Sequence, residues 1–220
     1  MSNLNKYIVF YIVLVLTICS VHAFPNNINK RHDSDETKCN DFCQKSKLPP
    51  ANFSSEQLTG FCSSTVLGEV PSTDHLASIL ITKPCYGEVI QCNKDFILEF
   101  KFVNFEPGAA SNLSIDFDRY PQSINDEGDI IGHYHVTMQK ISSPDAVPDP
   151  KNFTFFTPIN YLPNATETYQ VPIPGLTEEG MYRACTYTTA KSHQCINLPT
   201  GDRGPIDDCI RFTVVNCRKR

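Results

Sequence analysis

The chain has 220 residues, and 19 Lys plus Arg face 24 Asp plus Glu, a formal net charge of -5 at pH 7. Phosphate binding needs clustered positive charge, so no nucleic-acid partner is expected. Tryptophan is absent, which counts against a carbohydrate-binding module built on stacked indoles, although Tyr and Phe can take that role.

Residues 1–23 read as a signal peptide. Lys6 supplies a positive n-region, Tyr7 to Val21 is almost wholly apolar, and Val21-His22-Ala23 forms a cleavage site. The run is shorter than the roughly 20 apolar residues that span a bilayer, which counts against a signal anchor, and no second apolar run appears, so no transmembrane segment is expected after its removal. Residues 24–38 read as a disordered pro-segment or linker ending its first half in the dibasic pair Lys30-Arg31, the kind of site cut in the secretory pathway. Cleavage there would leave His32 at the amino terminus, where amine and ring together chelate copper. His32 is thus a lesser metal candidate, beside its plainer reading as linker with Asp33, Asp35 and Glu36. Residues 39–217 form a single domain, followed by a basic tail, 218–220.

Cysteine usage agrees with export. Cys19 leaves with the signal peptide, and the odd remainder comprises Cys39, Cys43, Cys62, Cys85, Cys92, Cys185, Cys195, Cys209 and Cys217. No C-x2-C pair exists, so disulfides are expected rather than a zinc–thiolate site, with one thiol left over. Sequons at Asn52, Asn112, Asn152 and Asn164 put those loops on the surface of a glycoprotein.

Helices are expected only over Cys39–Lys47 and Ser54–Phe61. Short runs rich in β-branched and aromatic residues predict strands at Ser78–Thr82, Phe96–Val103, His133–Ile141, Tyr169–Ile173, Met181–Thr189 and Cys209–Val215. Pro, Gly, Asn and Asp clusters punctuate them. This pattern predicts an all-β fold: an antiparallel, immunoglobulin-like β-sandwich, disulfide-stapled, with a disordered N-terminal segment. The central stretch is the turn Asn125–Gly128 and the strand that follows. Side chains at i and i+2 leave a strand on one face, so His133 and His135 point together. Asp116, Asp118, Asp126, Glu127 and Asp129 form an acidic loop region without EF-hand spacing, better explained by turn chemistry. No nucleophile-elbow, H-E-x-x-H or phosphate-loop motif is present.

From about Phe61 to Val214 the chain resembles a group of small secreted fungal proteins often mislabelled as ribosomal protein S17-like. The resemblance rests on Cys62 to Pro71, Asn93-Lys94-Asp95-Phe96, Ile131-Gly-His-Tyr-His-Val, Phe153-Thr-Phe-Phe, Gly175-Leu with Tyr182-Arg183, Ser192-His193-Gln194 and Asp207-Asp208-Cys209-Ile-Arg-Phe-Thr-Val. It implies secretion, adds His193 to the His133/His135 pair, and implies a Cys185–Cys209 disulfide and one joining Cys62 to Cys39 or Cys43. Relatives carry a further histidine before the Asp-Asp-Cys segment, where this chain reads Gly201-Asp202-Arg203-Gly204-Pro205.

Three functions follow as expectations. The first is a non-enzymatic extracellular protein binding cell-wall, matrix or host-surface components, with the histidines bracing loops by hydrogen bonds. The alternative is a copper or zinc metalloprotein on His133, His135 and His193, with a fourth position from water, Asp207 or Asp208. The third is a lipid-binding sandwich, because Thr82 to Cys92 and the strand Phe96 to Phe102 resemble the MD-2-related lipid-recognition domain.

Overall fold

The computed structural model describes residues 41–51, 62–161 and 168–217. All lie in the compact unit that spans Thr37–Arg220. His32, Cys39, the sequon asparagines Asn52 and Asn164, the expected helix at 54–61, the signal peptide and the basic tail lie outside the described residues.

Alternation of apolar and polar side chains builds the smaller of two sheets. In strands β1 (Ser78–Lys83), β3 (Phe96–Val103) and β8 (Thr168–Ile173), every second side chain is buried, and the sheet order is β1-β3-β8. Leu98, Phe100 and Phe102 of β3 and Tyr169, Val171 and Ile173 of β8 form its inner face. Both pairings are antiparallel.

The larger sheet is organised on β6 (Ile130–Ile141), which pairs antiparallel with β9 (Gly180–Ala190) over ten positions, from Gly132↔Ala190 to Ile141↔Met181. β10 (Cys209–Val215) continues antiparallel beside β9, and β2 (Val89–Gln91) closes that side in a parallel pairing with β10. On the other side of β6 lie β7 (Phe155–Ile159), β5 (Ser123–Ile124) and the parallel β4 (Phe105–Pro107). The one short α-helix among the described residues is Asp41–Gln44.

Side chains of both sheets fill the layer between them. Tyr134 of β6 packs on Phe100 and Phe102 of β3, ring centroids 5.4 Å apart in each case, and Phe212 of β10 meets Phe96 at 5.7 Å. Each such ring contributes about 1.5–3 kcal/mol by leaving water. β6 is buried on both faces: Tyr134, Val136 and Met138 look into this core, while His133, His135 and Gln139 are covered from outside by loops. That second cover makes the outer face of β6 a site rather than a solvated surface.

Among the described residues, three disulfides staple the fold. Cys185–Cys209 links directly paired positions of β9 and β10, Cα atoms 4.2 Å apart. Of the two partners open to Cys62, the structure selects Cys43. Cys92 pairs with Cys217, because the β2–β10 ladder sets Gln91 beside Val215 and brings the next residues together, Cα atoms 5.0 Å apart. Cys85, expected among the bridged cysteines, is instead an exposed free thiol in the β1–β2 loop, as is Cys195 after β9. Asn112 and Asn152 are exposed.

Candidate metal centre

Strand alternation sends His133 and His135 to the outer face of the large sheet, opposite the core residues Tyr134 and Val136. Across the ladder His133 faces Thr189 and His135 faces Tyr187, while on its other side His135 faces Pro158 of β7. Gly132 permits the close approach of β6 and β9 here, since a Cβ at that position would run into the Thr189 carbonyl and the Phe105 ring. After β9 the chain turns back tightly: Ala190 N–H donates to the Gln194 carbonyl at 3.0 Å and His193 N–H to the Ala190 carbonyl at 3.1 Å. His193 closes this turn with φ 65°, a left-handed backbone that side-chain-bearing residues adopt at a cost.

The turn brings the third ring over the first two. The His133 centroid lies 4.7 Å from His135 and 4.6 Å from His193, and His135 to His193 is 5.8 Å. One ligand nitrogen from each ring lies within 4.8 Å of the others. A tetrahedral ion with bonds of about 2.0–2.1 Å needs its nitrogens roughly 3.3 Å apart, so ring shifts of about 1 Å close the set.

Hydrogen bonds outside the cluster fix two tautomers. His133 Nδ1–H donates to the Ala109 carbonyl at 3.0 Å, which leaves Nε2 with a lone pair. The Ser111 hydroxyl donates to the Phe117 carbonyl at 3.0 Å, so its oxygen accepts from His193 Nδ1–H at 3.1 Å, and His193 Nε2 is the lone-pair nitrogen. Thr189 Oγ1 lies 3.4 and 3.2 Å from the two nitrogens of His133, and its hydroxyl donates to the His133 carbonyl at 3.3 Å. His135 differs: its Nδ1 is buried and has no hydrogen-bond partner. Stacking holds its ring instead, with Tyr187 at 4.4 Å and 12° and Phe156 at 5.5 Å and 28°. Partners behind a ligand ring orient it in this way at metal sites generally.

Burial, reinforced by the neighbouring His193, pushes the His133 imidazole down to about 4, against the upward pull of its Ala109 hydrogen bond. Burial, then His133 and His193, push His135 down to about 3. Both rings are therefore neutral at ordinary pH, the form that binds metal. The cluster opens onto a cavity of about 360 Å³ walled by Leu113, Phe117, Phe156, Pro158 and Tyr187, with no carboxylate among its lining residues.

Neither aspartate expected as a fourth ligand reaches this site. Thr188 points to the opposite face from Tyr187 and Thr189, and it holds Asp207 there by a 2.8 Å hydrogen bond; burial raises that carboxyl's pKa. Asp208 accepts from the Ile81 N–H at 2.9 Å, tying β1 to the segment before β10. Three of the five acidic loop residues are also committed separately: Asp116 accepts from Asn112 N–H, Asp118 from the Ser63 hydroxyl, and Asp129 pairs with His75 at 2.7 Å. Sequence reading missed Ser111, Phe117, Phe156 and Tyr187. Tyr187 alone carried a signal, the two-residue spacing from Cys185 and Thr189 that puts all three on one face of β9.

Fold and site together define a class: a disulfide-stapled β-sandwich with a buried histidine cluster on the covered outer face of its larger sheet. Within that class the chain belongs to the CLU5d N-terminal domain family, whose model matches residues 79–215. It is 34% identical over 204 residues to Pathogenicity cluster 5 protein d of Colletotrichum graminicola (strain M1.001 / M2 / FGSC 10212), covering 86% of this chain and 42% of that relative. The chain thus spans less than half the length of the curated relative it matches. The family region contains all three histidines and the Cys185–Cys209 bridge, whereas Cys43 and Cys62 lie before it.

Proposed function

We propose that this chain is a secreted metal-binding protein that holds one copper or zinc ion on His133, His135 and His193. The observation that carries the reading is the buried, unpartnered Nδ1 of His135 in a cluster whose ligand atoms lie within 4.8 Å of one another. A buried nitrogen without a partner costs about 1–3 kcal/mol, and an ion or a bound water removes that cost. Bracing by hydrogen bonds accounts for His133 and His193 but leaves His135 unexplained. Secretion rests on the apolar leader, the three disulfides and the resemblance to small secreted fungal proteins; among the described residues no helix is long and apolar enough to cross a membrane. Binding to wall, matrix or host-surface components remains part of the proposal, with the metal as the chemistry it brings there. The lipid reading finds no support, since Phe100, Phe102, Tyr134 and Tyr169 fill the layer between the sheets.

The test is elemental analysis of protein exported by its native host, followed by copper and zinc titration of the stripped chain. One ion per chain is expected, and none for the His133→Ala, His135→Ala, His193→Ala triple variant. Equal metal in the wild type and the triple variant, or no stoichiometric ion in either preparation of the wild type, refutes the assignment.

A further inference from the structure

A second cavity of about 360 Å³ lies on the same outer face, lined by Thr137, Gln139, Arg183 and the rings of Phe153, Phe156 and Tyr187, with Pro148 and Pro150 at its edge. Gln139 lies four residue steps beyond His135 on β6, about 14 Å along a strand, so this cavity is distinct from the histidine site although Phe156 and Tyr187 face both. Its polar end is a single guanidinium. Arg183 Nη2 donates to Gln139 Oε1 at 2.7 Å, and its Nε–H is buried with no hydrogen-bond partner.

The charge of Arg183 is oriented but not neutralised. Gln139 is held by its own amide, which donates to the carbonyls of Asp149 at 2.8 Å and Asn152 at 3.1 Å, so the oxygen it turns to Arg183 is neutral. Across the next ladder, β10 sets Arg211 directly opposite Arg183, a second cation on the same face. The acids of the loop above are engaged elsewhere: Asp145 accepts from the Ser143 hydroxyl and Asp149 from the Lys151 N–H. No carboxylate lines the cavity among the described residues. Adjacent like charges are unfavourable unless an anion joins them, and a guanidinium fork matches a carboxylate in two parallel hydrogen bonds.

We propose that this cavity is a binding site for a small aromatic carboxylate, its acid group on Arg183 and its ring between Phe153, Phe156 and Tyr187. Charge complementarity selects the anion. The ring follows from the walls: Phe153 and Phe156 are 50% and 43% exposed, large apolar surfaces beside a preformed polar anchor. The volume lies at the small-molecule end of the ligand-pocket range, roughly 300–1,000 Å³.

The test uses the full secreted chain stripped of metal with a chelator, so that it does not depend on the histidine site, and 2-naphthoate as the probe against its neutral counterpart 2-naphthalenemethanol. One naphthoate per chain is expected, bound at least tenfold tighter than the alcohol. Arg183→Gln should lower naphthoate affinity at least tenfold and leave the alcohol unchanged, while Phe156→Ala weakens both. Should Arg183→Gln fail to fold, the acid-against-alcohol ratio of the wild type decides alone. Equal affinity for acid and alcohol, no binding at millimolar naphthoate, or capture of a glutamate-rich peptide without naphthoate overturns the proposal.

Discussion

Two rows of side chains cross the outer faces of the two sheets, and they have opposite characters. On the small sheet, Lys83, Glu99 and Gln170 sit side by side on β1, β3 and β8. Glu99 receives Lys83 at 2.9 Å, Gln170 at 2.7 Å and the Thr82 hydroxyl at 2.8 Å, and these hydrogen bonds, that of Lys83 first, hold its carboxyl down to about 2. On the large sheet, Gln139, Arg183 and Arg211 occupy the equivalent row on β6, β9 and β10, with the histidines further along. The first row is closed, every charge answered within the protein. The second has cations without an acid and a histidine nitrogen without a partner, so geometry alike in pattern serves structure on one sheet and leaves bonding capacity for a ligand on the other.

The sharpest way to break this contrast is His135→Phe. Metal affinity should fall at least a hundredfold, whereas the metal-free protein should keep its stability or gain about 1 kcal/mol, because an apolar ring of similar shape removes a buried unpaired nitrogen. Metal titration and urea unfolding of the same preparation measure the two effects. A stability loss above about 2 kcal/mol would place His135 among the structural braces instead.

Acid separates the faces next. For both histidines the folded pKa lies below the unfolded value of 6.5, so the unfolded chain takes up protons first. Their contribution to stability is intact above 6.5 and declines as pH falls through about 4 for His133 and about 3 for His135. Glu99 is also depressed, so its contribution is intact above 4.5 and is lost as pH falls toward 2. Urea midpoints of the metal-free chain should therefore drop in an upper window, absent from the triple-histidine variant, and in a lower one, absent from Glu99→Gln. A single window common to all three proteins would contradict the assignment.

The smallest effect is expected from Lys83→Met. Lys83 is more than half exposed in its pair with Glu99, and exposed ion pairs contribute little. Metal stoichiometry and naphthoate affinity should be unchanged, and the urea midpoint should move least of all the variants described.

Part of this was legible in the residues. The run Phe-Ile-Leu-Glu-Phe-Lys-Phe-Val alternates cleanly, and β3 occupies those residues, 96–103. β7 was not foreseen because Pro158 interrupts its run; the strand tolerates a proline since it pairs only with β6. β2 has three residues, too few for a periodic signal, and with it the Cys92–Cys217 bridge stayed hidden, since that bridge follows from a parallel pairing across 125 residues of sequence. Period-two spacing put His133 and His135 together. His193 joins them through a left-handed turn that no local pattern announces. Arg183 shares its face with Cys185 and Tyr187 by the same spacing, but its importance depends on what the loop above it leaves unneutralised.

The place of β10 in the sheet order carries a consequence for biosynthesis. It follows every other described strand in sequence, yet it lies inside the large sheet between β2 and β9. A nascent polypeptide leaving the ribosome can pair β6 with β9 and assemble the surroundings of all three histidines, but β9 and β2 keep open edges until residues 209–215 emerge. Such edges are sites of wrong pairing between chains. Closure therefore waits for residues 209–217, when β10 enters the gap and Cys209 and the following Cys217 can meet Cys185 and Cys92.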